Sequence, residues 1–431
     1  MKSTRVIVLT WLAWAVIVIV FQAWATARIV PKFPDLALDW TQDFTDAGYQ
    51  LDHVYLLDPF MNNQVAWDSE YYLSIAVDGY DDPRSPHLTP QGVVTSAQGI
   101  QSDQSRLGFG TSISSNYAFF PFYPLMIRSL AYPLQVFGLN PIATATLAGI
   151  IVSALGTVFG MLALFDLTRD SLGEEGGRRA AFYLIIFPTG FFLLQVYTEG
   201  LFVGLAFGCL AMLKRKHWLA AALLAIAATL TRAVGVTLVI PMAIVWLRTG
   251  EWMDIDLEWR QIYHEGIPLR PLARGLLTLA PVLAFLIWKF SYLGLAFNYI
   301  QTKIYGRGTL QLGEAFYLWS EAFRSMLSGT NPQHTAYYLT EFLGIAIAVI
   351  ACITTVKAYP EIAWFSIAVV LISWGSGPAQ SFHRYILGAP SLFIALAQWG
   401  KNPVFDRAWT MLSLLLMGFL AALFAFNMWV A

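Results

Sequence analysis

The stretch AFFPFYPLMIRSLAYPLQVFG, residues 118–138, decides how this chain folds, because it is apolar enough to cross a bilayer yet carries Pro121, Pro124, Arg128 and Pro133. A regular helix tolerates interior prolines poorly. Whether this stretch crosses sets the side on which every later segment emerges. Other apolar runs that span, or nearly span, a hydrocarbon core of ~30 Å lie at about 6–27, 141–165, 180–196, 199–213, 217–231, 234–248, 272–292, 336–356, 361–377, 382–399 and 407–430. If 118–138 does not cross, Lys2, Arg5, Arg169, Arg178, Arg179, Lys214, Arg215, Lys216, Arg248, Arg260, Arg270, Arg274, Lys357, Lys401 and Arg407 share one side, 15 of the 26 basic residues. The positive-inside rule makes that side cytoplasmic. If it does cross, the Lys214-Arg215-Lys216 run lands outside. The stretch therefore reads as a helix lying along the outer membrane surface, and the chain as an all-α polytopic membrane protein of about eleven transmembrane helices.

Composition agrees. With 57% apolar and 12% charged residues, 16 Trp and 30 Phe, the chain holds more apolar side chain than a soluble domain could bury. The net charge is −1 and no long basic run occurs, so nothing points to nucleic acid. Cys209 and Cys352 sit far apart in apolar runs and are expected as free thiols. Ala25-Thr26-Ala27, after the first apolar run, has the look of a signal cleavage site, but a run of about 20 residues suits a span better. The expected organisation is one transmembrane domain, 1–431, with a first outer loop at 28–140 carrying juxtamembrane helices and a second at 293–335. Both loops are too long to be plain connectors. Up to Tyr117 the first holds twelve acidic residues against Arg28, Lys32, Arg84 and Arg106. Its Ser/Gly/Gln-rich part, Thr89 to Ser115, reads as an excursion or lid.

With the sides so assigned, Asp68 and Glu70, Glu199, Arg232, and His383 with Arg384 all project toward the outer face. An ionisable residue at membrane depth is costly, by roughly 2.5–3.5 kcal/mol at mid-bilayer, so such residues are kept when paired, hydrated or used. Asp68, in Trp67-Asp68-Ser69-Glu70-Tyr71-Tyr72, either simply caps a helix or also presents a carboxylate able to accept a proton from an attacking sugar hydroxyl. Glu70 points roughly opposite on that helix and is a secondary acidic candidate. So is Glu199, at a hairpin tip, which could equally be the salt-bridge partner of Arg232. Arg384 and His383 follow the break Gly375-Ser376-Gly377-Pro378; they suit a phosphate, with Arg232 as a third donor, or are helix-end cations near lipid headgroups. Phe119, Phe120 and Tyr123 form either an interfacial anchor or one wall of a groove for an isoprenoid chain. In the second outer loop Lys303, Arg307 and His334 could also meet an anion, though no spacing marks them out. No metal-ligand spacing, P-loop or nucleophile triad occurs, so no metal or other cofactor is expected.

At these residues the chain resembles the GPI mannosyltransferase II (PIG-V) family and its bacterial relatives, within the polytopic glycosyltransferases of the GT-C type. The matching pieces are Trp67-Asp68 with Tyr72 to Gly79-Tyr80, Ala118-Phe119-Phe120-Pro121 with Tyr123-Pro124-Leu125, and Phe187-Pro188-Thr189 running into Tyr197-Thr198-Glu199. Thr231-Arg232 with Gly235, and Arg384-Tyr385, complete the set. The resemblance implies transfer of a sugar, usually mannose, from a polyprenyl phosphate to a hydroxyl with inversion, on the non-cytoplasmic face of a bacterial plasma membrane. It matches Asp68 to the family's first-loop base. The implied partners are the lipid-linked donor, a lipid, glycan or protein acceptor, and membrane lipids. The Thr89 to Ser115 insertion departs from the family pattern and leaves the acceptor open. A lipid transporter or flippase, and a catalytically silent subunit of a glycan-assembly complex, are the rival readings.

Overall fold

The computed structural model describes residues 2–45, 53–89, 92–94, 113–250, 269–303, 306–308 and 311–431. Helix α1, Lys2–Arg28, leads into a loop region that carries α2, Ser69–Val77, and α3, Phe122–Leu134. The body follows as α4 (Pro141–Ile186), α5 (Thr198–Lys214), α6 (Trp218–Thr231), α7 (Val239–Arg248) and α8 (Leu269–Lys289). A second loop region carries α9 (Tyr292–Lys303) and α10 (Leu312–Ser328), and α11 (Pro332–Thr355), α12 (Pro360–Gly375), α13 (Pro390–Trp399) and α14 (Pro403–Ala425) close the bundle. Among the described residues the strands form one small antiparallel sheet, His87–Thr89 between Gly92–Val94 and Ile113–Ser114. Most of the Thr89 to Ser115 excursion lies outside the described residues.

Five described helices, α1, α4, α8, α11 and α14, are long and apolar enough to cross a membrane, and the protein is an integral membrane protein. The apolar helices Trp218–Thr231, Ala233–Arg248 and Pro360–Gly375 are shorter. Eleven full-length spans are therefore not what the helix lengths give, and the reason is local chemistry. The 46 residues of α4 would run ~69 Å if straight, more than twice the hydrocarbon thickness. Gly173, at φ 74°, breaks the path, and a methyl group on Gly177 would strike the Phe165 ring, so the second arm doubles back on the first. That arm stops at Ile186 because Phe187 precedes Pro188 and is held extended, φ −52° and ψ 147°. The run at 382–399 likewise breaks into the short turn Phe382–Tyr385, a 3₁₀ turn Ile386–Gly388, and α13 starting on Pro390. Irregular backbone at membrane depth is tolerated where protein surrounds it, and Phe191, Phe192, Phe382, Ile386 and Leu387 are all fully buried.

Helix α3 has 13 residues, about 20 Å, too short to cross. It buries Tyr123, Pro124 and Ile127 on one face and leaves Leu125 and Tyr132 exposed on the other. Its Arg128, the residue least suited to a span, donates to the carbonyls of Ala76 at 2.7 Å and Ile75 at 2.9 Å, closing the C-terminal end of α2.

A close backbone seam joins α4 to α5. Gly156 and Gly160 on one helix face Gly200 and Gly204 on the other, and a methyl group on Gly156 or Gly204 would overlap a backbone carbonyl of the partner helix. This is the small-residue packing by which helices associate in lipid. It places Glu199, the neighbour of Gly200, at a fixed depth. Replacing Gly200 by Leu is expected to destabilise the fold by about 1–3 kcal/mol through overpacking, read as a fall in melting temperature of the purified protein.

At the bundle end that carries Lys2, the helices are tied by charge. Lys214 Nζ lies 2.6 Å from Asp170, Arg215 lies 2.8 Å from Asp166, and Arg248 lies 3.0 Å from Glu361. The loop regions that carry α2, α3, α9 and α10 gather at the opposite end, around the candidate site.

Candidate active site

Asp68 immediately precedes α2, in the position of a cap, yet its side chain makes no cap hydrogen bond. Two things hold it elsewhere. Trp67 adopts a left-handed backbone at φ 50°, uncommon for a bulky residue. Its ring is wedged edge-on between Trp40 and Trp429, at 6.0 and 5.1 Å, while its indole N–H donates to the Met428 carbonyl at 3.2 Å. Then the Tyr197 hydroxyl accepts from the Asp68 amide at 3.2 Å and donates to the Ala66 carbonyl at 3.2 Å. The carboxylate thus turns inward while its side chain keeps 31% exposure.

Arg384 meets it. Nη1 of Arg384 donates to Asp68 Oδ2 at 3.2 Å, Nε lies 3.5 Å from Glu199 Oε1, and Nη2 donates to the Tyr385 hydroxyl at 3.3 Å. The guanidinium also lies over the rings of Phe192, Tyr197 and Tyr385, 5.1 to 5.3 Å from their centroids. Ser381, at φ 66°, starts the turn that carries it. Glu199, in the first turn of α5, accepts from Arg232 Nη1, so the sequence-level option of a Glu199–Arg232 salt bridge is what the structure contains. Arg232 itself sits in extended backbone between α6 and the 3₁₀ turn Ala233–Leu238, with its guanidinium 4.9 Å from the Tyr385 ring. Glu199 Oε2 is buried without a hydrogen-bond partner.

A third arginine joins, one of the three loop residues that the sequence offered for an anion without ranking them. Arg307 Nη1 donates to the Tyr385 hydroxyl at 2.9 Å. Its loop is stitched to the Gly375–Gly377 break by Gly308 N–H to Ser376 O at 3.2 Å and Gln311 N–H to Gly375 O at 3.1 Å. Gly377 suits this approach, since a methyl group there would press on the Arg307 backbone and side chain. Burial works against the Arg307 charge, but the Tyr385 hydroxyl and Asp68 more than offset it, and its pKa is raised. Arg232, Arg307 and Arg384 against Asp68 and Glu199 leave a single net positive charge in the cluster.

Other sequence candidates face elsewhere. Glu70 is buried, with both oxygens 2.7 to 2.8 Å from His53 Nδ1. Burial pushes its carboxyl above the usual range, with His53 opposing. Glu70→Gln is therefore expected to lower thermal stability while leaving the rate per folded molecule unchanged, as a melting curve and an activity titration on the same sample would read. His383 turns away from Arg384: its amide donates to Glu341 Oε2 at 2.9 Å, its Nδ1 lies 2.9 Å from the same oxygen, and its carbonyl accepts from Thr189 at 2.8 Å. It braces the turn from behind. Phe119 stacks on Tyr71 at 4.7 Å and Phe120 on Trp288 at 4.1 Å. Tyr123 is fully buried and hydrogen-bonded to Ser153 at 2.8 Å. Phe120 and Tyr123 thus belong to packing more than to an open groove wall. His334 lies 3.4 Å from Asp39, away from the cluster, and the Lys303 side chain lies outside the described residues. Among the described residues no group of three or more His, Cys, Asp or Glu is placed to hold a metal.

Fold and cluster define an integral membrane protein with a buried arginine–carboxylate pocket at one end of a helical bundle. No family model matches the chain, and no match was found among curated proteins. Among solved structures it is similar to ArnT from Cupriavidus metallidurans bound to undecaprenyl phosphate, with TM-score 0.45 and 16% identity over 86% of this chain and 63% of that one. The apo state of the same protein gives TM-score 0.43 and 18% identity over 85% and 62%. The archaeal oligosaccharyltransferase AglB from Archaeoglobus fulgidus, in complex with an inhibitory peptide and a dolichol-phosphate, gives TM-score 0.40 and 13% identity over 97% and 55%. The chain thus spans less than two thirds of the length of each.

Proposed function

We propose that this chain is an inverting glycosyltransferase of the GT-C type, akin to the PIG-V family, that moves a sugar from a polyprenyl phosphate to an acceptor hydroxyl on the outer face of a membrane. The observation that carries this reading is the meeting of a part-exposed carboxylate, Asp68, with three arginines around Tyr385. A sugar phosphodiester carries one negative charge, the amount the cluster has in excess. Arg384, with Arg232 and Arg307, would hold the phosphate and stabilise it as the anomeric carbon–oxygen bond breaks. Asp68 would take the proton of the acceptor hydroxyl as its oxygen forms the new bond from the opposite face of the sugar ring. The phosphate leaves on the lipid, and one stereocentre inverts.

Mannose is the sugar to try first, by the resemblance of the motifs. The test is transfer of radiolabelled mannose from polyprenyl-phosphate-mannose to membrane acceptors by the purified protein. Transfer with inverted configuration supports the reading. Donor binding with no transfer of mannose or other polyprenyl-phosphate-linked sugars, together with donor movement across vesicle membranes, would replace it with the flippase reading.

A further inference from the structure

A cavity of about 700 Å³ opens at the bundle end opposite the site, between α1, both arms of α4, and α14. Its upper wall is apolar, with Val6, Ile7, Met161, Phe182 and Met411. Val6 and Met411 are 44% and 61% exposed on the outer surfaces of their helices, so this trough opens sideways into the layer where acyl chains run. Its end is lined by Glu175, Arg178, Arg179, Asp406 and Arg407. The two acids are already engaged: Arg179 lies 2.7 Å from Glu175 and 3.9 Å from Asp406, and Asp406 accepts from the Tyr183 hydroxyl at 2.5 Å. Arg178 and Arg407 have no ion-pair partner among the described residues. Three arginines against two carboxylates leave one net positive charge at the end of an apolar trough, with Arg178 and Arg407 the cations not held in an ion pair among the described residues.

We propose that this cavity seats one anionic phospholipid of the surrounding leaflet, its phosphate between Arg178 and Arg407 and an acyl chain along Val6, Phe182 and Met411. The argument is charge complementarity combined with amphipathic shape. A zwitterionic headgroup brings its own ammonium and gains little from the two arginines, whereas a headgroup with net negative charge gains from both. Free phosphate lacks the chain that the apolar wall would cover. Bound there, the lipid would bridge the first, fourth and last helices. The proposal is independent of the transfer reaction, since no residue named here contacts the arginine–carboxylate cluster.

The test is native mass spectrometry of the full-length, delipidated protein in detergent, offered phosphatidylglycerol or phosphatidylcholine. Wild type is expected to retain phosphatidylglycerol about fivefold better, the preference that one net interfacial positive charge provides. The pair Arg178→Gln with Arg407→Gln should lose that preference and Arg178→Lys with Arg407→Lys should keep it, both with an unchanged melting profile. Equal retention of the two lipids by wild type would overturn the proposal, and so would an undiminished preference in a folded Gln pair. The wild-type comparison decides even if the Gln pair does not fold.

Discussion

Asp68→Asn is expected to lower sugar transfer by about 10²–10⁴-fold, the range that a positioned general base contributes, while donor binding survives. The amide keeps the shape of the carboxylate, and its oxygen can still accept from Arg384, whose Nη1 lies 3.2 Å from Oδ2. Removing the negative charge also leaves the arginines more available to a phosphate, so the donor should bind at least as well as in wild type. Single-turnover transfer and a donor titration on the same preparation separate the two effects. Loss of both together would make Asp68 part of the donor site, and normal transfer would move the base assignment to Glu199. The Glu199 position argues for the order proposed, since its carboxylate is almost wholly buried and already committed to Arg232.

Arg384→Ala should be the more damaging change, because it removes binding and stability together. The guanidinium neutralises a buried Glu199 and a half-buried Asp68 at once. Deleting one partner of a buried ion pair leaves the other charge uncompensated, at about 3–5 kcal/mol. Loss of a charged group aimed at a leaving phosphate costs about 10²–10³-fold in rate. Arg384→Lys should restore part of the stability and little of the transfer, because an ammonium cannot reach Asp68 and Tyr385 with separate donors while lying flat over Phe192 and Tyr197. Thermal unfolding and donor titration of Ala and Lys variants check both halves. A Lys variant that transfers like wild type would show that charge alone suffices and that the planar fork is incidental.

What the sequence made legible followed from where charges sat relative to apolar runs. The membrane nature of the chain, the absence of a full-length span in residues 118–138, and the gathering of Asp68, Glu199, Arg232 and Arg384 at one end all came from that single pattern. It could not give rotation about a short helix. Glu70, two residues from Asp68, pairs with His53, and His383, adjacent to Arg384, pairs with Glu341, because a step of one or two residues turns a side chain through 100° to 200°. Arg307 could be named only alongside Lys303 and His334 for another reason: it sits in a loop with no periodicity to read, and only the contact with Tyr385 distinguishes it from a solvated cation. The helix count was blurred by Pro188 and Pro390, which cut apolar runs of spanning length into turns. One signal was present and unread. Gly156 and Gly160, with Gly200 and Gly204, repeat the four-residue spacing that lets two helices touch backbone to backbone.

The ion pair between Asp68 and Arg384 joins residues 316 positions apart. A ribosome making this protein delivers the carboxylate early and its cation near the end, after nearly all the helices between them have been threaded into the bilayer. A nascent or truncated chain that stops short of residue 384 carries Asp68 without the guanidinium that faces it. Assembly of the cluster is thereby tied to completion of the chain: Asp68 and Glu199 gain their shared cation only once the segment carrying Arg384 is in place.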